Sequence, residues 1–465
     1  MAHAREKNII IGQRRFLLAI FVFALIIRLA LFFAFLRQGT NAWLPFDSDQ
    51  YYRIAHNIAA GNGMCLVPGE PQMYRLPGYP LFLALALPLG GIERALLFQL
   101  VLSCLIPILI FFLALQLKFS LSCARLAAVL SCVHAGLITY AGMVATETLF
   151  LVFLLLFFII FLPYVRMQWC VIPVHNSIYR MIGAGVLLGI VSLIRPVGHY
   201  LVILSVIMLM VGASMREWLR NAGALVLGWG LLVAPWVVRN FFLTGALLFH
   251  SLPGLHFLQY TAAYIVMERD HCSYGDARPL LMHQRDEAIA QRIAHQRRPL
   301  TEYEACCCAQ KIATSYVYAY PWLFIKTACV QMLKTCCGLY AAQPLMTDAY
   351  RWPSYTYATT TWTKIKRFLF PAVRHCCLIF FIYYELFLWL MMIIGLCGAC
   401  LSAFYDKTLS CALAKAAPYV VLLVGVTLAY GCARLRLPVE PFIIIFSGAG
   451  WLWLRGRWLK KKNIF

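Results

Sequence analysis

Charge is scarce in this sequence. Only 12% of its 465 residues are Asp, Glu, Lys or Arg, and the acids are the rarer sign, 18 against 40 bases. A soluble chain of this length must cover its surface with polar groups, so the shortage excludes an ordinary soluble enzyme. The adjacent cysteines at 306–308, 336–337 and 376–377 lack C-x-x-C spacing, which argues against a structural zinc. Others, such as Cys104, Cys132, Cys397 and Cys432, lie inside apolar runs, where a thiol behaves as a small apolar group. Disulfides on an outer face stay open, and no pairing is legible. No A-x-A-like cleavage site follows the first apolar run, so that run is expected to remain as a span. No internal repeat of the kind that marks a transporter is visible.

What is present is oil. Hydrophobic residues make up 62% of the chain and the mean hydropathy is +0.77. They gather in runs at 16–36, 95–117, 147–162, 219–238, 376–396 and 416–433, each long enough to cross roughly 30 Å of hydrocarbon. The fold class is therefore an all-α polytopic membrane protein. The net charge of +22 sits largely in flanks of these runs: Arg5, Lys7, Arg14 and Arg15; Arg166 and Arg180; Arg216 and Arg220; Arg455, Arg457 and the lysines at 460–462. That is the positive-inside pattern, which accounts for the basic excess without nucleic acid and puts both termini in the cytoplasm.

Spans are expected at 16–36, 95–117, 124–142, 147–165, 181–194, 197–213, 219–238, 376–400, 416–432 and 439–456, about ten in all with a range of roughly 9 to 13. The chain divides into an N-terminal transmembrane module (1–238) with a first outer loop (37–93), an outer loop and interfacial region (239–375), and C-terminal spans with a basic tail (376–465). In the first outer loop, "FDSDQYYRIAHNIAAGNG" predicts a helix lying on the membrane plane. Tyr51, Ile54, Ala55, Ile58 and Ala59 share its apolar face, Arg53, Asn57 and Ala60 the other, and Gly61-x-Gly63 ends it. "YRLPGYPLFLALALPLGG" reads as a second interfacial or re-entrant helix, and 320–340 as interfacial.

The residues that could carry chemistry fall at outer ends of spans: Asp47, Asp49, Arg75, Glu147, Arg239, Arg434 and Arg436, with Arg195 beside Pro196. Carboxylates and guanidiniums at a membrane surface suit a reaction on a lipid-anchored substrate. A sugar carried on a polyprenyl phosphate leaves a phosphate behind, and arginine binds phosphate in a fork. The attacking hydroxyl needs a carboxylate within reach to take its proton.

The string "FDSDQYYRIAHNIAAGNG", "YRLPGYPLFLALAL", "TETLF", "LIRPVG", "PWVVRN" and "RLRLPVEP" resembles the bacterial branch of polyprenyl-phosphate-mannose protein mannosyltransferase-like proteins. These are membrane glycosyltransferases of the GT-C superfamily and include the lipid A aminoarabinose transferases. The resemblance covers about residues 15–245. It implies a GT-C-like helical bundle, a lipid-linked sugar donor, and an essential acid in the first outer loop, matched here by Asp47. Glu147 matches the second acidic position and Arg75 the basic residue before the Pro motif. Ser48 stands where the mannosyltransferases carry a second acid, and residues 240–375 match nothing in the family.

The expected activity is inverting transfer of the sugar to a hydroxyl at the outer, periplasmic face of the inner membrane. Asp47 would be the base, and Asp49 or Glu147 would position the acceptor. Arg75 and Arg436, with Arg434, would hold the leaving phosphate, and Tyr51, Tyr74, Arg195 and Arg239 would position substrate. No cofactor is required by this reading, although a divalent cation could sit at Asp47 and Glu147. The partners are the polyprenyl-phosphate-sugar donor, the bilayer and an acceptor that is protein, lipid or glycan. The rival readings are a transporter or lipid flippase without chemistry, and a non-catalytic scaffold.

Structural readings stand beside the functional ones. Asp49 is the expected N-cap of the first interfacial helix. Arg28, inside the first span, calls for a structural partner. The stripe of Gly183, Gly185 and Gly189 suits helix packing, and the histidines at 250, 256, 271, 283 and 295 have no ligand spacing.

Overall fold

The apolar runs become helices that pack around one another. The structure, a computed structural model, describes residues 12–36, 47–165, 178–340, 376–426 and 430–462. The basic residues Arg5, Lys7 and Arg166, and the segments 37–46 and 341–375, lie outside the described residues.

In chain order the helices are α1 (Arg14–Leu36), α2 (Ser48–Ala59), α3 (Gly78–Ala86), α4 (Ile92–Ser103), α5 (Leu105–Gln116), α6 (Leu121–Val133), α7 (Ala135–Thr139) and α8 (Glu147–Phe161). Next come α9 (Ile178–Ile194), α10 (Val197–Met208), α11 (Met215–Thr244), α12 (Leu252–His256), α13 (Ala263–Asp270), α14 (Tyr274–Gln296), α15 (Glu302–Ala319) and α16 (Pro321–Cys337). The last are α17 (Cys376–Ala403), α18 (Lys407–Gly425) and α19 (Glu440–Lys462), with a 3-10 turn, Ala433–Val439, leading into α19. Among the described residues there is no strand, only an isolated bridge between Cys65 and Pro71.

Seven of the described helices are long and apolar enough to cross a membrane, or eight if α6 and α7, bent by 55°, count as one span. That is fewer than the ten expected. The shortfall has a physical cause at Arg195-Pro196, where Pro196 cannot continue the backbone ladder and leaves two pieces of 17 and 12 residues. The bend between α6 and α7 falls at His134, whose extended backbone breaks the helix and whose Nδ1 accepts the Leu137 N–H at 3.4 Å. The helix headed by Glu147, α8, is the most enclosed of the spans and α1 the least.

Small residues set the closest approaches. A Cβ at Gly185 would lie 2.1 Å from the Leu225 carbonyl oxygen, and one at Gly228 would lie 2.1 Å from that of Ile182, so α9 and α11 touch backbone to backbone. Gly189 also faces α11, whereas Gly183 has open space around it.

The region expected as a long outer loop is helical. Helices α12 to α16 close over their own small core of Leu258, Ala262, Val266, Ala277, Leu281, Ala309 and Ala313. A capping box of Thr301 and Glu304 starts α15. Glu302, beside it, accepts the Met73 N–H at 2.9 Å and the Ser251 hydroxyl, which clamps this unit onto the segment between α2 and α3. The fifteen described cysteines are all free.

Two sequence expectations need correction in α2. Asn57 is buried, because its amide donates to the Cys65 carbonyl at 2.9 Å, while Ala59 is exposed. Asp49 is not the cap. Asp47 holds the N-cap position without making a capping bond, and Asp49 lies in the first turn.

Candidate active site

Three devices bring distant charges together. The first is Ser48, whose hydroxyl donates to the Val144 carbonyl at 2.6 Å and pins the start of α2 beside the head of α8. The second is the Pro77-Gly78 turn. A Cβ at Gly78 would meet the Leu193 carbonyl oxygen at 2.8 Å, so only glycine lets α3 start against the end of α9 and hence beside Arg195. The third is Gln99 on α4. It accepts the Tyr79 hydroxyl at 2.8 Å and donates to the Met143 and Ala141 carbonyls at 2.7 and 3.2 Å, holding the turn that leads to Glu147. A lone glutamine in an apolar run is a visible signal, and the sequence reading passed over it.

The result is a row of alternating charges. Arg75 Nη2 lies 2.6 Å from Asp47 Oδ1, and Arg434 Nη1 lies 3.8 Å from Asp47 Oδ2. The same Arg434 donates to Glu147 through Nε, and through Nη2 at 3.3 Å. Arg195 Nη1 donates to Glu147 Oε1 at 2.9 Å. Two carboxylates against three guanidiniums leave a net charge of 3 − 2 = +1. Glu147 is fully enclosed, but the Asp47 side chain remains 41% exposed. Of the two acids, Asp47 is the one a substrate can reach.

Arg75 is held from several sides. Its Nε donates to Gln50 Oε1 at 2.9 Å, its backbone N–H to Gln72 Oε1 at 2.7 Å, and its guanidinium lies 4.7 Å from the Tyr74 ring and 5.1 Å from that of Tyr51. Burial works against its charge, but Tyr51, Asp47 and Tyr74 outweigh that and keep its pKa above the usual arginine value. Burial pushes the Tyr74 hydroxyl up to about 12.

Other sequence candidates fall elsewhere. Asp49 is exposed and faces Arg53 one turn on, at 3.9 Å. Arg239 donates to the Gln72 and Met64 carbonyls at 3.1 and 3.4 Å and lies over Trp236, so it supports the loop before Arg75 and does not join the charge row. Arg436 belongs to a second, sealed cluster. Its Nε donates to Glu440 Oε1 at 2.6 Å and its Nη1 to the carbonyls of Thr335, Cys336 and Gly338. With its guanidinium between Tyr340 and Trp389 and only 2% of the residue exposed, it is not placed to meet a lipid phosphate. Arg28 is buried with one weak bond, to the Ala24 carbonyl at 3.3 Å, and no carboxylate partner among the described residues.

A divalent cation does not fit between Asp47 and Glu147, because the Arg434 guanidinium lies between them. Among the described residues no group of three or more His, Cys, Asp and Glu could hold a metal ion.

This architecture is an all-α, multi-pass membrane bundle whose fold is similar to that of solved membrane oligosaccharyltransferases. The oligosaccharyltransferase AglB of Archaeoglobus fulgidus, solved with an inhibitory peptide and a dolichol phosphate, superposes with a TM-score of 0.50 at 12% identity, over 97% of this chain and 52% of that one. A second structure of the Archaeoglobus fulgidus oligosaccharyltransferase, tethered to an acceptor peptide, gives 0.50 at 13% identity, over 94% and 49%. The chain thus spans about half the length of these relatives in fold. ArnT from Cupriavidus metallidurans bound to undecaprenyl phosphate gives a TM-score of 0.38 at 14% identity, over 92% and 77%. Comparisons with protein-family profiles and with curated proteins give no match.

Proposed function

We propose that this chain is a membrane glycosyltransferase that takes a sugar from a polyprenyl-phosphate donor and passes it to a hydroxyl acceptor. The observation that carries the reading is the alternating charge row, in which the reachable carboxylate, Asp47, is gripped by Arg75 and Arg434. The shared fold with an oligosaccharyltransferase supports it.

In this reading Arg75 and Arg434 receive the donor phosphate, and Glu147 with Arg195 holds Arg434 in place. When phosphate oxygens take a share of both guanidiniums, the Asp47 oxygens they held are free to meet the acceptor hydroxyl. The acceptor oxygen then attacks the anomeric carbon from the face opposite the phosphate, Asp47 takes its proton, and the polyprenyl phosphate leaves with the bonding electron pair. The sugar is inverted. The positive-inside pattern supports an outer-face location for this event.

The test is release of polyprenyl phosphate by the full chain in proteoliposomes carrying a polyprenyl-phosphate-linked sugar. Release that requires Asp47 supports the reading. Release unchanged in Asp47→Asn overturns the base assignment, and no release with any lipid-linked sugar overturns the function.

A further inference from the structure

A group of tyrosines unused by this mechanism lies beside Asp47. Tyr74 precedes Arg75, and Tyr430 precedes Arg434 by four residues, so both neighbours of Asp47 carry a tyrosine with them. The third element is the six-residue π-helix Phe257–Ala262, a geometry that is rare and gathers at functional sites. It presents Tyr260, whose ring centroid lies 4.3 Å from that of Tyr430 and 6.4 Å from that of Tyr274, with the latter pair nearly parallel at 9°. Tyr264 lies 5.7 Å from Tyr274 on the same side.

Packing alone does not account for this group. All five rings are partly exposed. The hydroxyls of Tyr74, Tyr260, Tyr264 and Tyr430 make no hydrogen bond among the described residues, whereas Tyr274 donates to the Gln259 carbonyl. Among the buried tyrosines, Tyr79 and Tyr340 bond their hydroxyls and Tyr140 and Tyr164 do not, but those rings are sealed in the bundle and these are not. Phenol edges and free hydroxyls suit a ligand that offers C–H faces and many hydroxyls together.

From this we infer that the tyrosine group is the acceptor subsite and that the acceptor is a glycan, its attacking hydroxyl presented to Asp47 by the rings of Tyr74, Tyr260 and Tyr430. The inference rests on the transferase reading above and names its acceptor class. The balance is that of the transfer step: the glycan oxygen bonds to the anomeric carbon, the carbon–phosphate-oxygen bond breaks, and the glycan's proton goes to Asp47.

The experiment is saturation-transfer NMR on the full chain in lipid nanodiscs, with methyl pyranosides and maltotriose as sugar probes and a Ser/Thr-containing octapeptide as rival. The expected result is saturation of sugar ring protons and not of the peptide. That signal should fall about tenfold in Tyr260→Leu and persist in Asp49→Asn. Should Tyr260→Leu not fold, the double variant Y260F/Y430F keeps the rings and is expected to weaken sugar binding severalfold. Saturation of the peptide alone, no saturation of any sugar, or a sugar signal indifferent to both sets of variants overturns the inference. Polyprenyl phosphate release measured on the same samples tells that failure apart from failure of the transferase reading.

Discussion

Two arginines two residues apart on one 3-10 turn, Arg434 and Arg436, end in opposite circumstances. Arg434 bridges Glu147 to a half-open Asp47. Arg436 is closed in by Glu440, three carbonyls and two aromatic rings, and Glu440 also meets His134 Nε2 at 3.2 Å. The same chemistry therefore serves two ends. A guanidinium with an unsaturated, reachable partner can exchange it for a ligand, and one sealed beneath rings and carbonyls can only hold helices together.

The largest effect expected on this comparison is at Asp47. Asp47→Asn should lower sugar transfer about a thousandfold, within the usual range for a lost general base, with normal insertion and abundance. Radiolabel transfer in proteoliposomes, normalised to protein, measures it.

The pair of arginines should then separate. Arg434→Lys keeps the charge but loses the fork, and is expected to cut transfer about tenfold to a hundredfold while the protein stays folded. Arg436→Ala leaves Glu440 buried without its cation and should destabilise the bundle by about 3–5 kcal/mol. Thermal unfolding in detergent read beside transfer activity distinguishes the two. Equal losses of stability in both would erase the distinction.

A smaller effect belongs to His256, at the end of α12. Burial, with Arg75 nearby, holds His256 down to about 4, against an ordinary value of 6.5. Below pH 6.5 the unfolded chain takes up a proton that the folded one refuses. Stability therefore falls as the pH drops from about 6.5 towards 4, on the order of 2 kcal/mol for this group, and is level above 6.5. His256→Gln should flatten that part of a melting-temperature profile. His250, held down to about 3 by burial, would keep the rest of the slope.

How much of this was legible follows from range. Periodicity and hydropathy act locally, so the spans, the interfacial α2 and the apolar α8 headed by Glu147 could be read from the chain. Asp47, Glu147 and Arg75 were legible because each breaks a local rule, a charge at the edge of oil. The choice between Arg434 and Arg436 was not, because it depends on which way a 3-10 turn faces and on Glu440, Tyr340 and Trp389 arriving from elsewhere. Gln50 and Gln72, which hold Arg75, carry no local anomaly at all. The helices over residues 252–319 were read as a polar loop because their polar surface masks a small, alanine-rich core.

Asp49 gives the smallest expected effect and the sharpest control. It is an acid in the same loop as Asp47, two residues away, and the sequence ranks Asp47 above it as the base only through the family resemblance. The structure separates them by a rotation of the helix. Asp47, at the N-cap, turns towards Arg75 and Arg434, whereas Asp49 lies on the outer face of the first turn with 65% of its side chain exposed and Arg53 3.9 Å away. An exposed pair at that distance contributes little, and its neutral replacement leaves no buried charge behind. Asp49→Asn should change transfer by less than about twofold and leave melting unchanged. A loss approaching that of Asp47→Asn would mean that both acids share the proton, and the role given to Asp47 alone would have to be divided between them.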